Sequence, residues 1–341
     1  MILYDFEHER PGSLQDVAAR LAELGPTAGI LAGGTDLLPN MRLKIRTPAT
    51  LVSLGAIAAQ PPGTDTDGWL RIDALTRLSE IENSDTVRAA CPMFARSAHV
   101  VGSNQIRQAG TLGGNLCQEI RCLYLNQEHD FQFVAPCYKR GGDCCYPYPK
   151  NEKDFCASVF MSDIAPALIA LGSDIELVGA NASRRMAVED FYTGVGMTPT
   201  VLRADELVGA VMVPPPPPNS GWGYHKSTIR GGLEFAMVVV AARVALGEDG
   251  ETCADARIVI GAVSEGPSRA RGAESALVGA APTPEAIAAA ASAAVAECRF
   301  LPHHNFSVEY LKQNAEVYLR RILSEAFGRA KTGPGKGGQD Q

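Results

Sequence analysis

The 341-residue chain carries 31 Lys and Arg against 38 Asp and Glu, a formal net charge of −7. With 46% apolar and 20% charged residues it has the composition of a folded globular protein of two or three domains, and its acidic balance disfavours a nucleic-acid surface. The longest apolar runs, 235–246 and 286–296, fall short of the about 20 residues that a bilayer span requires, and no charged-then-apolar leader opens the sequence, so a cytoplasmic protein is expected. In that compartment nine cysteines point to metal binding, catalysis or burial rather than to a disulfide framework.

Residues 1–55 have the pattern of a small β-α-β unit. Ser13, with Asp16 three residues on, resembles a capping box, and Val17, Leu21 and Leu24 form a helical stripe that Gly25 ends. A short strand over 28–32 then delivers the loop AGGTD, and another strand follows at 50–54. After the turn-rich connector 61–68, the pattern predicts a strand at 70–72 and a short helix at 76–81. A second helix runs from an Asp85 cap toward Val100, with Pro92 in its early part or kinking it. It feeds VGSNQIRQAGTLGGNLCQEIRC, residues 101–122, where Gly110, Gly113 and Gly114 offer a backbone free of Cβ atoms. That loop is either an ordinary tight turn or a cradle whose N–H groups converge on an anion. The similar Gly33–Gly34–Thr35 loop upstream favours the cradle.

From Cys122 to Cys156 periodicity disappears, and five cysteines (122, 137, 144, 145 and 156) lie among aromatics and turn residues. Long irregular segments are uncommon unless something else orders them, which suggests an inserted loop organised by metal. A helix after Asp163 and Pro166 and strands at 174–178 and 206–213 lead to the stiff polyproline linker PPPPPNSG, 214–221, the clearest domain boundary. Beyond it the pattern predicts strands at 224–228, 236–246 and 256–263. Helices follow near 269–277, from the Thr283–Pro284 cap, and over 307–327, before a tail expected to be disordered.

The nucleotide motifs G-x-G-x-x-G after a strand and G-x-x-x-x-G-K-[ST] are absent, as are G-x-S-x-G and H-E-x-x-H, so Rossmann, P-loop and hydrolase sites are disfavoured. The cysteine spacing matches neither paired C-x-x-C zinc sites nor a ferredoxin run, and leaves zinc and an iron–sulfur cluster both open beside simple burial, which a polar loop disfavours. Cys91, Cys117, Cys253 and Cys298 lie in or beside periodic segments, where burial is expected.

AGGTDL at 32–37, TLGGNL at 111–116, SDIAPALIALG at 162–172 and the Lys226/Arg230 pair of HKSTIRGGLEFA together resemble the FAD-binding medium subunits of the molybdenum hydroxylases, the xanthine and carbon monoxide dehydrogenase family. The resemblance spans nearly the whole chain. It implies an α+β fold: FAD-binding subdomains at 1–55 and 56–215, and a C-terminal α+β domain at 222–328 with a three-stranded antiparallel sheet, leaving 329–341 as tail. It further implies that Ile30, Leu31, Ala32, Gly33, Gly34, Thr35, Asp36 and Leu37, with Thr111, Leu112, Gly113, Gly114 and Asn115, hold the pyrophosphate and ribityl chain of FAD. Val101, Asp163, Val208 and Lys226 close around the flavin.

The 122–156 insertion resembles the [4Fe-4S] insertion in the β subunit of 4-hydroxybenzoyl-CoA reductases, with Cys122, Cys137, Cys145 and Cys156 in the ligand positions. The extra cysteine at 144 and a longer gap before Cys156 depart from that pattern and leave the choice between Cys144 and Cys145 open. The implied role is electron transfer from ferredoxin, by way of the cluster and FAD, to a [2Fe-2S] small subunit and a molybdenum-cofactor large subunit, in a dimer of heterotrimers with no substrate-transforming site on this chain. The competing readings are a medium subunit of an oxidising hydroxylase and a zinc-stabilised assembly protein.

Overall fold

The computed structural model describes residues 3–128, 134–149 and 155–332. At the N-terminus, β1 (Glu7–Glu9), β3 (Thr50–Ser53) and β2 (Ala28–Leu31) form a parallel sheet in that order. The helix α1 (Leu14–Leu24) starts where the Ser13 hydroxyl accepts the Asp16 N–H at 3.1 Å, and it ends at Gly25. Its buried stripe of Val17, Ala18 and Leu21 packs on Val52 and Leu54. The unit is richer than a single β-α-β, because α2 (Leu37–Arg42) follows the AGGTD loop directly.

The second unit is a five-stranded antiparallel sheet in the order β4 (Gly63–Thr64), β5 (Leu70–Asp73), β8 (Leu207–Val213), β6 (Asp174–Val178), β7 (Ser183–Ala187). Five helices stand between β5 and the cysteine loop: α3 (Leu78–Asn83), α4 (Asp85–Ala90), α5 (Pro92–His99), α6 (Asn104–Ala109) and α7 (Leu112–Leu116). The single helix expected from Asp85 to Val100 is in fact two. Pro92 cannot donate to an i−4 carbonyl, so it opens α5 instead of continuing α4. Ser84 is the cap, its hydroxyl accepting the Val87 N–H, and Asp85 is the first helical residue. After the loop come α8 (Ala165–Leu171) and α9 (Val188–Phe191).

The C-terminal sheet has four antiparallel strands rather than three: β12 (Ser268–Arg269), β11 (Cys253–Gly261), β10 (Val238–Leu246) and β9 (Ser220–Ser227). The added β12 is a two-residue edge strand on Ile260 and Val259, too short to carry a period in sequence. All of β10 is buried. Val239 and Ala241 face the core of the second unit, whereas Val238, Val240, Ala242 and Val244 face the core built by α10 (Arg271–Leu277), α11 (Pro284–Glu297) and α12 (Val308–Thr332). The helix α12 lies so close on β9 that a Cβ at Gly221 or Gly223 would sit 2.0 Å from Ala326 O or 2.2 Å from Ile322 O. It also runs to Thr332, so residues 329–332 are helical rather than tail, and 333–341 lie outside the described residues. Among the described residues no helix is long and apolar enough to cross a membrane.

Candidate functional site

The two glycine loops meet back to back. At the end of β2 the chain turns through Gly33 and Gly34 into α2, and Gly34, at φ +72°, has a left-handed backbone that suits glycine. Gly33 is needed for a different reason: a Cβ there would lie 2.0 Å from Ala109 O. The second loop differs from the turn expected. Thr111 is an N-cap, its Oγ1 accepting the Gly114 N–H at 3.2 Å, and Gly113 and Gly114 are helical residues of α7. The Gly113 N–H donates to Ala74 O at 2.8 Å, so these two N–H groups serve the fold and do not form the anticipated anion cradle. What Gly114 supplies is space, since a Cβ there would meet only Thr111 Oγ1 within 4 Å, with open cavity beyond.

That cavity, of about 340 Å³, is walled by Thr35 and Asp36 of the first loop, Thr111, Gly114 and Asn115 of the second, and the turn 101–103 between α5 and α6. Its buried polar end is Asp163. Asp163 Oδ2 accepts from Lys226 Nζ at 2.8 Å, while Oδ1 is buried with no hydrogen-bond partner among the described residues. Lys226 also donates to Val100 O at 2.9 Å, and the Tyr224 hydroxyl donates to Asp163 O at 2.9 Å. Ser162 Oγ donates to Asn115 Oδ1 at 2.6 Å and joins this end to the second loop. Arg107 donates from Nη1 to Val101 O at 3.2 Å, and its Nε lies 2.7 Å from Glu82 Oε2, so the 101–103 wall is held from behind.

Burial raises the Asp163 carboxyl to about 6, against the opposing pull of Lys226. The folded protein therefore keeps this proton up to about pH 6, whereas the unfolded chain releases it near pH 4. Between those values folding takes up a proton, and the stability owed to this group falls as pH rises. Asp163→Asn is expected to flatten that stretch of the stability profile, as read by urea unfolding between pH 4 and 6.5.

Around the mouth stand Phe235 and Arg121. The Arg121 guanidinium pairs with Asp36 and lies over the Phe235 ring, 5.2 Å from its centroid. Glu119, two residues earlier, donates its N–H to Asp36 Oδ2 at 3.1 Å. The Glu119 carboxylate accepts from Lys139 at 2.7 Å and Arg46 at 2.9 Å, and although burial opposes ionisation, these cations hold it below the usual carboxylate range.

Lys139 belongs to the cysteine loop, whose described part is irregular except for a 3-10 turn at Tyr138–Arg140. Arg140 fastens the loop by donating to Leu125 O and Gln127 O at 3.0 and 2.7 Å, and to Leu43 O and Lys44 O at 3.4 and 3.3 Å. Cys122 lies near Cys137 and Cys145, and Cys156 near Cys145 and Cys122. Burial, with Cys137 and Cys145 nearby, raises Cys122; burial pushes Cys156 up to about 12, where Lys139 opposes and Cys145 and Cys122 add to the rise. Cys137 and Cys145 are buried, while Cys144 is half-buried against the Tyr146 hydroxyl. None of the nine cysteines forms a disulfide. Among the described residues, no three His, Cys, Asp or Glu side chains are arranged to hold a single metal ion. Cys91, Cys253 and Cys298 are buried as expected; Cys117, where α7 ends, has exposed surface, while its thiol lies near the buried Tyr192 and burial pushes it up to about 12.

Of the residues singled out from sequence, Thr35, Asp36, Val101, Gly110, Thr111, Gly114, Asn115 and Asp163 line the cavity. Gly33, Gly34, Leu112 and Gly113 pack behind it, and Lys226 reaches it through Asp163. Ile30 and Leu31 lie in β2, Ala32 follows it, and Leu37 opens α2. Val208 is buried in β8, outside the lining. Sequence reasoning passed over Gly102, Ser103, Gln118, Arg121, Met161 and Phe235. Of these only Ser103 carried a signal, as the cap three residues before Ile106.

A family model for the FAD binding domain in molybdopterin dehydrogenase matches residues 4–216, and one for the CO dehydrogenase flavoprotein C-terminal domain matches 222–326. The carbon monoxide dehydrogenase medium chain of Afipia carboxidovorans is 30% identical over 336 residues, covering 97% of this chain and 100% of that one. The aldehyde oxidoreductase FAD-binding subunit of Escherichia coli is 30% identical over 285 residues, covering 80% and 86%. A solved structure of the carbon monoxide dehydrogenase of Hydrogenophaga pseudoflava aligns with a TM-score of 0.76 at 27% identity, over 96% of this chain and 99% of that chain. An open wall at Gly114 and a buried acceptor at Asp163 fit a flavin nucleotide, and the chain belongs to the molybdenum hydroxylase family as an FAD-binding medium subunit of the carbon monoxide dehydrogenase type.

Proposed function

We propose that this oxidoreductase subunit holds FAD in the cavity between its two glycine loops and a [4Fe-4S] cluster on Cys122, Cys137, Cys145 and Cys156, and that it carries electrons inside a molybdenum-containing reductase resembling 4-hydroxybenzoyl-CoA reductase. The observation that carries the reading is adjacency: Arg121 lines the cavity, and the next residue, Cys122, belongs to the group of neighbouring thiols. Burial and neighbouring thiols resist ionisation of Cys122 and Cys156, and iron, when bound, would supply the positive charge that favours their thiolates. Cubane ligation sets its four sulfurs further apart than a single tetrahedral ion does.

FAD, when bound, supplies chemistry able to join one-electron and two-electron carriers. The chain's own part is to shape and dry the cavity, present the Asp163 acceptor and hold it with Lys226. Its partners in this reading are a molybdenum-cofactor large subunit and a [2Fe-2S] small subunit, paired as a dimer of heterotrimers, with ferredoxin as donor. The relatives, subunits of a carbon monoxide dehydrogenase and an aldehyde oxidoreductase, favour a second reading, a medium subunit of an oxidising enzyme. A zinc-stabilised assembly protein does not fit a chain of this flavoprotein family.

Size exclusion of native extract is expected to place the chain in an assembly several times its own 36.1 kDa, and the purified assembly to show a flavin spectrum with a broad iron–sulfur shoulder and labile sulfide in this subunit. Flavin without iron here would overturn the cluster and leave the oxidising reading, whereas a fully active monomer would overturn the subunit role.

A further inference from the structure

The segment 118–122 runs from the flavin cavity to the cysteine loop, and its charges are tied at both ends. On the cavity side Asp36 takes both the Arg121 guanidinium and the Glu119 N–H. Toward the loop, the buried Glu119 carboxylate takes Lys139, which also donates to Gly196 O at 2.8 Å and stands two residues after Cys137. Backbone bonds brace the segment, with the Arg121 N–H donating to Val159 O at 2.9 Å and the Cys122 N–H to Asn126 Oδ1 at 3.0 Å. Among the described residues Glu119 has one other cation, Arg46, whose side chain is 62% exposed and so screens the charge weakly.

We propose that Arg121 is a positioning residue of the flavin cavity whose placement is set by Lys139 through Glu119 and Asp36, so that the packing of the cysteine loop determines how tightly FAD is held. Without Lys139, the buried Glu119 carboxylate keeps the Ile120 N–H on Oε1 at 3.0 Å and the exposed Arg46 on Oε2 but loses its buried cation, a costly state. The nearest cation along the chain is Arg121. Drawing Arg121 toward Glu119 takes it from Asp36 and Phe235, which form that side of the cavity. The cysteine loop thereby acts on flavin affinity without touching the cavity.

The proposal rests on FAD occupying this cavity, and the test separates the two. In the full-length protein, Lys139→Met is expected to raise the FAD dissociation constant about tenfold, the loss of one strong polar contact, as read by flavin fluorescence. Lys139→Arg, which keeps the ion pair, is expected to restore it. Arg121→Gln is expected to weaken FAD as much, and the double variant no more than Arg121→Gln alone, because both act along one path. If Lys139→Met does not fold, Glu119→Gln removes the uncompensated charge, and adding Lys139→Met to it is expected to leave FAD affinity unchanged. Unaltered affinity in Lys139→Met, or full additivity with Arg121→Gln, overturns the coupling. Stoichiometric FAD in Gly114→Val instead overturns the cavity assignment beneath it.

Discussion

Cys145→Ser is expected to lose iron and acid-labile sulfide together, while Cys144→Ser keeps both. Two vicinal cysteines compete for one place, and their surroundings differ. Cys145 is buried in the main core, and its thiol neighbours those of Cys122 and Cys156. Cys144 is half-buried beside the Tyr146 hydroxyl, whose ring stacks on Tyr124 at 4.8 Å. A serine hydroxyl is a much poorer ligand for iron than a thiolate. Cys122→Ser, Cys137→Ser and Cys156→Ser should therefore lose iron as Cys145→Ser does. FAD is expected to remain in all five variants, weakened only where loosening of the loop reaches Lys139. Loss of the cluster in Cys144→Ser with retention in Cys145→Ser would exchange the two assignments.

Gly33→Val and Gly114→Val are expected to separate folding from flavin binding. At Gly33 the new Cβ would lie 2.0 Å from Ala109 O and 2.7 Å from its carbon, both backbone atoms held by the end of α6. The two loops must then part, at a cost of about 3 kcal/mol or more. A lower denaturation midpoint and loss of FAD are expected together. At Gly114 the Cβ meets only a threonine hydroxyl at 3.0 Å, so the chain folds with nearly native stability, but the isopropyl group fills the cavity wall and FAD is released. Stoichiometric FAD in folded Gly114→Val would show that the flavin lies elsewhere.

The paired glycine loops and most periodic elements were legible in sequence because local chemistry encodes them. Ser13 and Thr283 cap the helices they were expected to cap. The role of the glycines was less legible: Gly33 and Gly113 are required by Ala109 and Ala74, tens of residues away, and no local pattern reveals such an approach. Arg121 and Phe235 were missed for the same reason, since an arginine before a cysteine and a phenylalanine after a glycine-rich turn are ordinary until the fold brings them within 5.2 Å of each other. Short edge elements such as β12, and the start of α5 at Pro92, depend on tertiary pairing and on one ring that breaks a helix, so periodicity alone misplaced them.

Lys226 on β9 reaches across to Asp163 and to Val100, so the last fixed element of the flavin cavity comes from the C-terminal sheet. During synthesis the AGGTD loop leaves the ribosome well ahead of that strand, by roughly 10–40 s at ordinary elongation rates. β9 is then held by pairing with β10 and by α12 lying against Gly221 and Gly223, and α12 is the last helix to be made. With FAD in this cavity as proposed, flavin capture is expected late in the protein's biogenesis: a nascent chain stalled before α12 has both glycine loops but no settled wall behind the cofactor, and FAD loading is expected to require synthesis through α12.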